Sequence, residues 1–182
     1  MGSDLALVGA NPSALLWEGD RATAFVSVWQ VDWSAEGGGG ALVICRDGEL
    51  RVLCDPPLLG RWLFDTFVAH SPELAHFELP TRPTVEKAAV KIDLDLVAGL
   101  SAAAGDVTVH VTGVLDRRRT LDSGLRVGGI PWSVSRVYAP CRSSRIEIAR
   151  SVVPGVPRIA DTGRSPVSSS AWLTAAETWA RL

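Results

Sequence analysis

Apolar and polar residues alternate with period two along much of this chain, most clearly from Val90 to Leu115. Val90, Ile92, Leu94 and Leu96 alternate with Lys91, Asp93 and Asp95. After an Ala/Gly-rich loop, Val107, Val109 and Val111 alternate with Thr108, His110 and Thr112. Successive Cβ atoms of a strand point to opposite faces, so both runs predict β-strands with one buried side. Pairing them with apolar faces matched sets His110 across from Asp93, or from Asp95 after a slip of two residues.

The same reading applies elsewhere. Ala22 to Trp33 predicts a long strand with Phe25, Trp29 and Trp33 on one face, covered on both sides near its start. Asp47-Gly48 predicts a two-residue hairpin turn in which Arg46 pairs with Glu49, Cys45 with Leu50 and Cys54 with Ala41. Val43, Cys45, Leu50 and Val52 then form the predicted core face, with Ile44 and Arg51 on the other. Pro57 to His70 predicts an amphipathic helix, N-capped by Asp55, with Leu58, Leu59, Trp62, Leu63 and Phe67 as its apolar stripe. Trp132 to Tyr138 and Arg145 to Ala149 predict two further strands, separated by a turn over Pro140 to Ser144. Residues 153–169, rich in Pro, Gly and Ser, predict a long surface loop, and Ser170 caps a predicted final helix carrying Trp172, Ala176 and Trp179.

The elements amount to about eight or nine strands and two short amphipathic helices in a single domain, residues 1–182. Hairpin connections predict a mainly β, antiparallel fold: a barrel, or a strongly curved sheet or sandwich. The barrel is favoured because closure removes the edge strands that so many β-segments would otherwise expose.

Composition narrows the function classes. At 182 residues, 47% hydrophobic and 21% charged, the chain is of ordinary globular composition. Its apolar runs fall short of the ~18 residues of a membrane span, and Met1-Gly2-Ser3-Asp4 lacks the basic start of a secretory leader. Ala6 stands where a myristoylation signal needs Ser or Thr. Three cysteines suit a reducing compartment, and the hairpin register sets Cys45 and Cys54 roughly 13 Å apart, beyond disulfide reach. The expected location is therefore cytoplasmic.

The net charge of −2 hides an asymmetry: residues 1–115 hold 7 Lys/Arg against 15 Asp/Glu, and residues 116–182 hold 11 against 5. The basic half has no nucleic-acid motif, so strands of opposite charge neighbouring in one sheet are expected instead of nucleic-acid binding. Phosphate loops, dinucleotide fingerprints, metalloprotease and nucleophile-elbow motifs and paired CxxC are all absent, and no NAD, ATP or zinc cofactor is expected. His70 and His76 share no helical face and read as loop residues, not ligands.

Seven Trp outnumber four Phe and one Tyr. The first expectation is a binding barrel for a small, mostly apolar molecule, lined by Phe25, Trp29, Trp33, Trp132 and Tyr138, with Arg136 anchoring a carboxylate or phenolate. The competing structural account has these tryptophans filling a core and Arg136 covering Trp132 with its stem. The second expectation is a cofactor-free isomerase, cyclase or hydratase using His110 oriented by Asp93 or Asp95. The third is a homo-oligomer, such as a homodimer, or a partner-binding module, with tryptophans at its interface. Continuity around a closed sheet predicts that the Val/Ile/Leu face of the central strands shares an interior with Val43, Cys45, Leu50 and Val52, leaving His110 and the aspartates outside.

Overall fold

The hairpin forms in the expected register: Arg46 pairs with Glu49, Cys45 with Leu50 and Cys54 with Ala41. Asp47 and Gly48 both take positive φ, 50° and 78°, the conformation a two-residue turn of matching twist requires. This computed structural model describes residues 4–182. Met1–Ser3, on which the leader reading partly rests, lie outside the described residues.

In chain order the strands are β1 (Asp4–Ala10), β2 (Ser13–Glu18), β3 (Arg21–Ser34), β4 (Gly39–Arg46) and β5 (Glu49–Asp55), followed by helix α1 (Pro57–Thr66). Two 3-10 turns, Val68–His70 and Pro72–His76, lead to β6 (Thr84–Lys87), β7 (Val90–Asp95), β8 (Gly99–Ala104) and β9 (Val107–Val114). Then come β10 (Arg118–Val127), β11 (Ile130–Ile148), β12 (Ser151–Val152), β13 (Ile159–Ala160), β14 (Ser168–Ser169) and β15 (Ala171–Arg181).

Fifteen strands form among the described residues, against the eight or nine expected: thirteen belong to one mixed sheet, antiparallel except where β6 runs parallel to β5, and β13 and β14 make a separate ribbon. The favoured barrel is not formed, since the main path runs from β6 through β5, β4, β3, β1, β15, β11, β9 and β8 to β7 without closing. Instead the sheet folds over on itself. β11, 19 residues long, pairs with β15 through residues 132–140 and with β9 through residues 141–148, carrying the chain from one layer into the other. Pro140, predicted as a turn, lies inside this strand where its partner changes, a place where a missing N–H is tolerated.

Two cores result. Phe25, Trp29, Val43, Cys45 and Val52 meet Leu59, Leu63 and Phe67 on the helix side. Val26, Val28, Leu42, Ile44 and Leu53 meet Leu100, Val107, Val109 and Val111 on the other. The hairpin is thus covered on both faces, and the central strands pack against Ile44 and Leu42, not on the interior they were expected to share with Val43. α1 sits close on β5 because Gly60 has no Cβ; one there would lie 2.6 Å from that of Cys54.

Four further expectations are corrected. β8 intervenes between β7 and β9, so the predicted direct pair is not formed: the Ala/Gly stretch has small side chains, yet it pairs on both edges. The C-terminal segment is β15, not a helix, so there is one α-helix instead of two. Asp55 does not cap α1; Pro56 occupies that position without a side-chain cap. Leu58 of the predicted stripe is 73% exposed, and Gly60 and Phe64 face inward in its place.

Candidate functional site

The site begins with an irregularity in β15. Between the pairs Ser135–Thr178 and Val137–Ala175, β15 has two residues, Ala176 and Glu177, where β11 has only Arg136. Ala176 takes φ 48°, the left-handed conformation that an extra strand residue needs. The bulge shifts the alternation by one, which brings Thr174, Glu177 and Trp179 onto one face. There Thr174 Oγ1 donates to Glu177 Oε2 at 2.6 Å and Trp179 Nε1 donates to Glu177 Oε1 at 2.5 Å. Asn11 N–H donates to Thr174 Oγ1 at 2.7 Å, while its side-chain amide donates to Ser27 Oγ and Val28 O. Glu177 is 1% exposed. Burial pushes its carboxyl above the ordinary range, opposed by the hydrogen bonds from Thr174 and Trp179 and by the charge of Arg136.

In front of this layer opens a cleft of about 460 Å³. Its aromatic wall is Trp29, Phe67, Trp172 and Trp179, with Tyr138 and Arg136 beside them. Trp29 stacks on Phe67 at 5.4 Å between ring centroids, and Phe67 meets Trp179 at 4.7 Å. The rim comes from the turn segment at His70 to Glu73 and from the end of β10 at Arg126. Gly128 passes so close to the His70 ring that a Cβ would lie 2.7 Å from Nε2, which joins the β10–β11 hairpin to that turn segment.

Arg136 is the chemically distinctive member. Arg118, Arg145 and Arg158 each meet a carboxylate within 2.9 Å, and Arg126, the other arginine of the lining, bonds the Gly129 carbonyl. Arg136 has no ion-pair or side-chain hydrogen-bond partner among the described residues, although it is only partly exposed. Tyr138 carries the Arg118 guanidinium over its ring at 4.8 Å, and burial raises its phenol further above neutrality. It therefore stays a neutral hydroxyl in the cleft wall. The Trp29 indole N–H is buried without an acceptor, a state that costs about 1–3 kcal/mol.

Of the residues expected to line a binding site, the structure brings together Trp29, Arg136 and Tyr138. Phe25 lies in the helix-side core at 1% exposure, and Trp132 is fully buried against Phe67 and Trp179 without lining the cleft. Trp33 is 47% exposed and takes no part. His110 is exposed opposite Ser101 on one side and Arg145 on the other, so neither Asp93 nor Asp95 reaches across to it; Asp93 pairs with Ser101 and Asp95 with Gly99. Asp95 instead accepts the backbone N–H groups of Val97 and Ala98 in the β7–β8 turn, which lowers its carboxyl.

Sequence reasoning missed Phe67, Trp172 and Trp179 as lining residues because it assigned them to helical stripes. It missed Glu177 altogether, although a lone acid within Leu173–Ala180, an otherwise uncharged run, was a usable signal. No helix among the described residues is long and apolar enough to cross a membrane, and no group of three or more His, Cys, Asp or Glu is placed to hold a metal ion. No family model, curated protein or solved structure matches the chain.

Proposed function

We propose that this protein binds a small molecule with a mostly apolar body and one acidic group, a carboxylate or phenolate, in the cleft beside β15. The observation that carries this reading is Arg136: a guanidinium without a counter-ion, set at the edge of an aromatic wall made by Trp29, Phe67, Trp172 and Trp179. A partly buried cation of this kind gains most from an anion delivered by a ligand whose body covers the adjacent rings. Arg126 and His70 at the rim add donors of the same sense, and Glu73 is the one acidic residue of the lining. No cofactor enters this reading. The three cysteines are free and buried, which supports a working place in the reducing cytoplasm.

The test is calorimetric titration with a series of aromatic and aliphatic carboxylates, phenylbutanoate and decanoate among them, each beside its uncharged amide. Acids should bind more tightly than their amides, and Arg136→Gln should erase the difference. Equal binding of acid and amide, or no binding by any member, overturns the proposal.

A second reading, association with another copy or a partner, has its own observation in Trp33 and Leu5, each 47% exposed on neighbouring strands β3 and β1. Light scattering across a concentration series decides it, and a strict monomer argues against self-association.

A further inference from the structure

We propose that Glu177 sets the charge Arg136 offers to a ligand, so that an acid enters the cleft together with a proton taken up by Glu177. The inference rests on the binding reading above and extends it to a residue that does not itself line the cleft.

The geometry is that of the bulge. Arg136 on β11 stands opposite Ala176 and Glu177 on β15, and the extra residue turns the Glu177 carboxyl to the face that Thr174 and Trp179 share. Thr174 and Trp179 line the cleft, so the carboxyl sits directly behind its wall. A carboxylate and a guanidinium on facing positions of adjacent strands ordinarily join. Here they do not: both Glu177 oxygens are taken by Thr174 Oγ1 and Trp179 Nε1, and the guanidinium stays on the cleft side. The carboxyl has a neutral form available without a shift of heavy atoms: once the Thr174 hydroxyl hydrogen rotates away, Oγ1, which already accepts from the Asn11 N–H, has a second lone pair for a proton on Oε2, while Trp179 still donates to Oε1.

The charged and titratable groups around Glu177 are few. β11 contributes Arg136, the only residue whose charge acts on it appreciably. β1 presents Gly9 opposite it, and the Asn11 backbone N–H reaches it through Thr174. Across the cleft are Arg126 of β10 and His70 and Glu73 of the turn segment. With Glu177 neutral, the whole charge of Arg136 is free for the ligand. With Glu177 ionised, its field weakens the pull of Arg136 without pairing with it, and a second anion meets repulsion from the first. Binding and protonation are then linked: an anion on Arg136 holds the proton on Glu177, and one proton is taken from solvent for each acid bound wherever the free site is ionised.

The experiment measures phenylbutanoate, fully ionised throughout, and its amide by calorimetry from pH 6.5 to pH 9 in pairs of buffers with different ionisation enthalpies. For the wild type, the acid's affinity should fall as pH rises, by up to about tenfold per pH unit where one proton is linked, with net proton uptake visible as a buffer-dependent enthalpy. The amide should show neither effect. Glu177→Gln should bind the acid with a flat profile and no uptake, whereas His110→Gln, on the exposed face of β9 and outside the cleft, should leave the wild-type profile in place. An infrared carbonyl band of a buried protonated carboxyl, growing when the acid is added to wild-type protein, reads the same event without a substitution. The inference is overturned if wild type shows no uptake anywhere in that range, or if Glu177→Gln keeps the wild-type profile. Affinity indifferent to Arg136→Gln would overturn the binding reading itself, and this inference with it.

Discussion

Arg136 and Glu177 face each other across β11 and β15 without forming an ion pair, because the bulge at Ala176 hands the Glu177 carboxyl to Thr174 and Trp179. A buried acid and a cation that has no ion-pair partner among the described residues thus lie one strand apart.

The ranking of aromatic substitutions follows from which rings line the cleft. Trp29→Ala should weaken acid binding by about 2–4 kcal/mol, the usual effect of losing a buried aromatic anchor, and, since Trp29 is only 2% exposed and stacks on Phe67, should lower stability as well. Trp132→Ala should lower stability by about 3–5 kcal/mol, since Trp132 is fully buried and packs on Phe67 and Trp179. Trp33→Ala and His110→Ala should change neither. Titration calorimetry and denaturant unfolding on the four variants check the order; a large effect on binding from His110→Ala would revive the catalytic alternative.

Glu177→Gln should stabilise the fold at neutral and alkaline pH. Burial holds the folded carboxyl above its unfolded value. Below the unfolded value, near the ordinary carboxylate range, both states are protonated and Glu177 costs nothing. As pH rises past it the unfolded chain releases a proton that the folded chain keeps or ionises at a penalty, so stability declines until the folded value is passed. Removing the ionisable group should recover about 1–3 kcal/mol at pH 8, or several degrees in Tm, and almost nothing at pH 4. Melting curves at the two pH values test this.

Arg51 ties the two layers together from the opposite side. It meets Glu86 on β6 in a two-point contact at 2.7 and 3.0 Å and Asp106 in the β8–β9 turn at 2.7 Å. The Arg51 hydrogen bonds lower both carboxyls. Their contribution is present above the unfolded carboxylate values and is lost as pH falls through the lowered folded ones. Both acids are substantially exposed, so solvent screening limits the effect, and Arg51→Met should cost about 1–2 kcal/mol at pH 7 and low salt. The loss should shrink in high salt and in acid; a cost independent of both would mean the arginine acts through packing alone.

Ala176→Gly should raise stability slightly. An alanine at φ 48° pays for a conformation glycine adopts freely. The gain is offset by the greater freedom of glycine in the unfolded chain, leaving roughly 0.5 kcal/mol. Denaturant midpoints of the two proteins measure it. Destabilisation by this variant would show that the side chain of Ala176, although exposed, contributes contacts.

Local chemistry determined a good part of this fold. The Asp47-Gly48 turn fixed a hairpin register to the residue, because a two-residue loop leaves only one. Strict alternation placed β7 and β9, and Pro56-Pro57 with the stripe around Leu59 and Leu63 placed α1. Three of the expected site residues, Trp29, Arg136 and Tyr138, do share a cleft. What alternation leaves open is which partner each strand takes and what covers its second face. Ala-rich β8 has too little side-chain pattern to announce itself, yet its presence moves His110 away from both aspartates. Alternation alone puts Ile44, beside Arg51, on an outer face, and only the second layer reached along β11 buries it together with Leu42. Trp172, Ala176 and Trp179 fall on one helical stripe and so predict a helix, whereas in a regular strand the seven-residue step from Trp172 to Trp179 puts these two rings on opposite faces. One extra residue at Ala176 restores them to the same face. A bulge is set by the pairing of β15 with β11 and β1 and carries no local signature in an alanine, so only the tertiary structure could bring Glu177, Trp179 and Arg136 together.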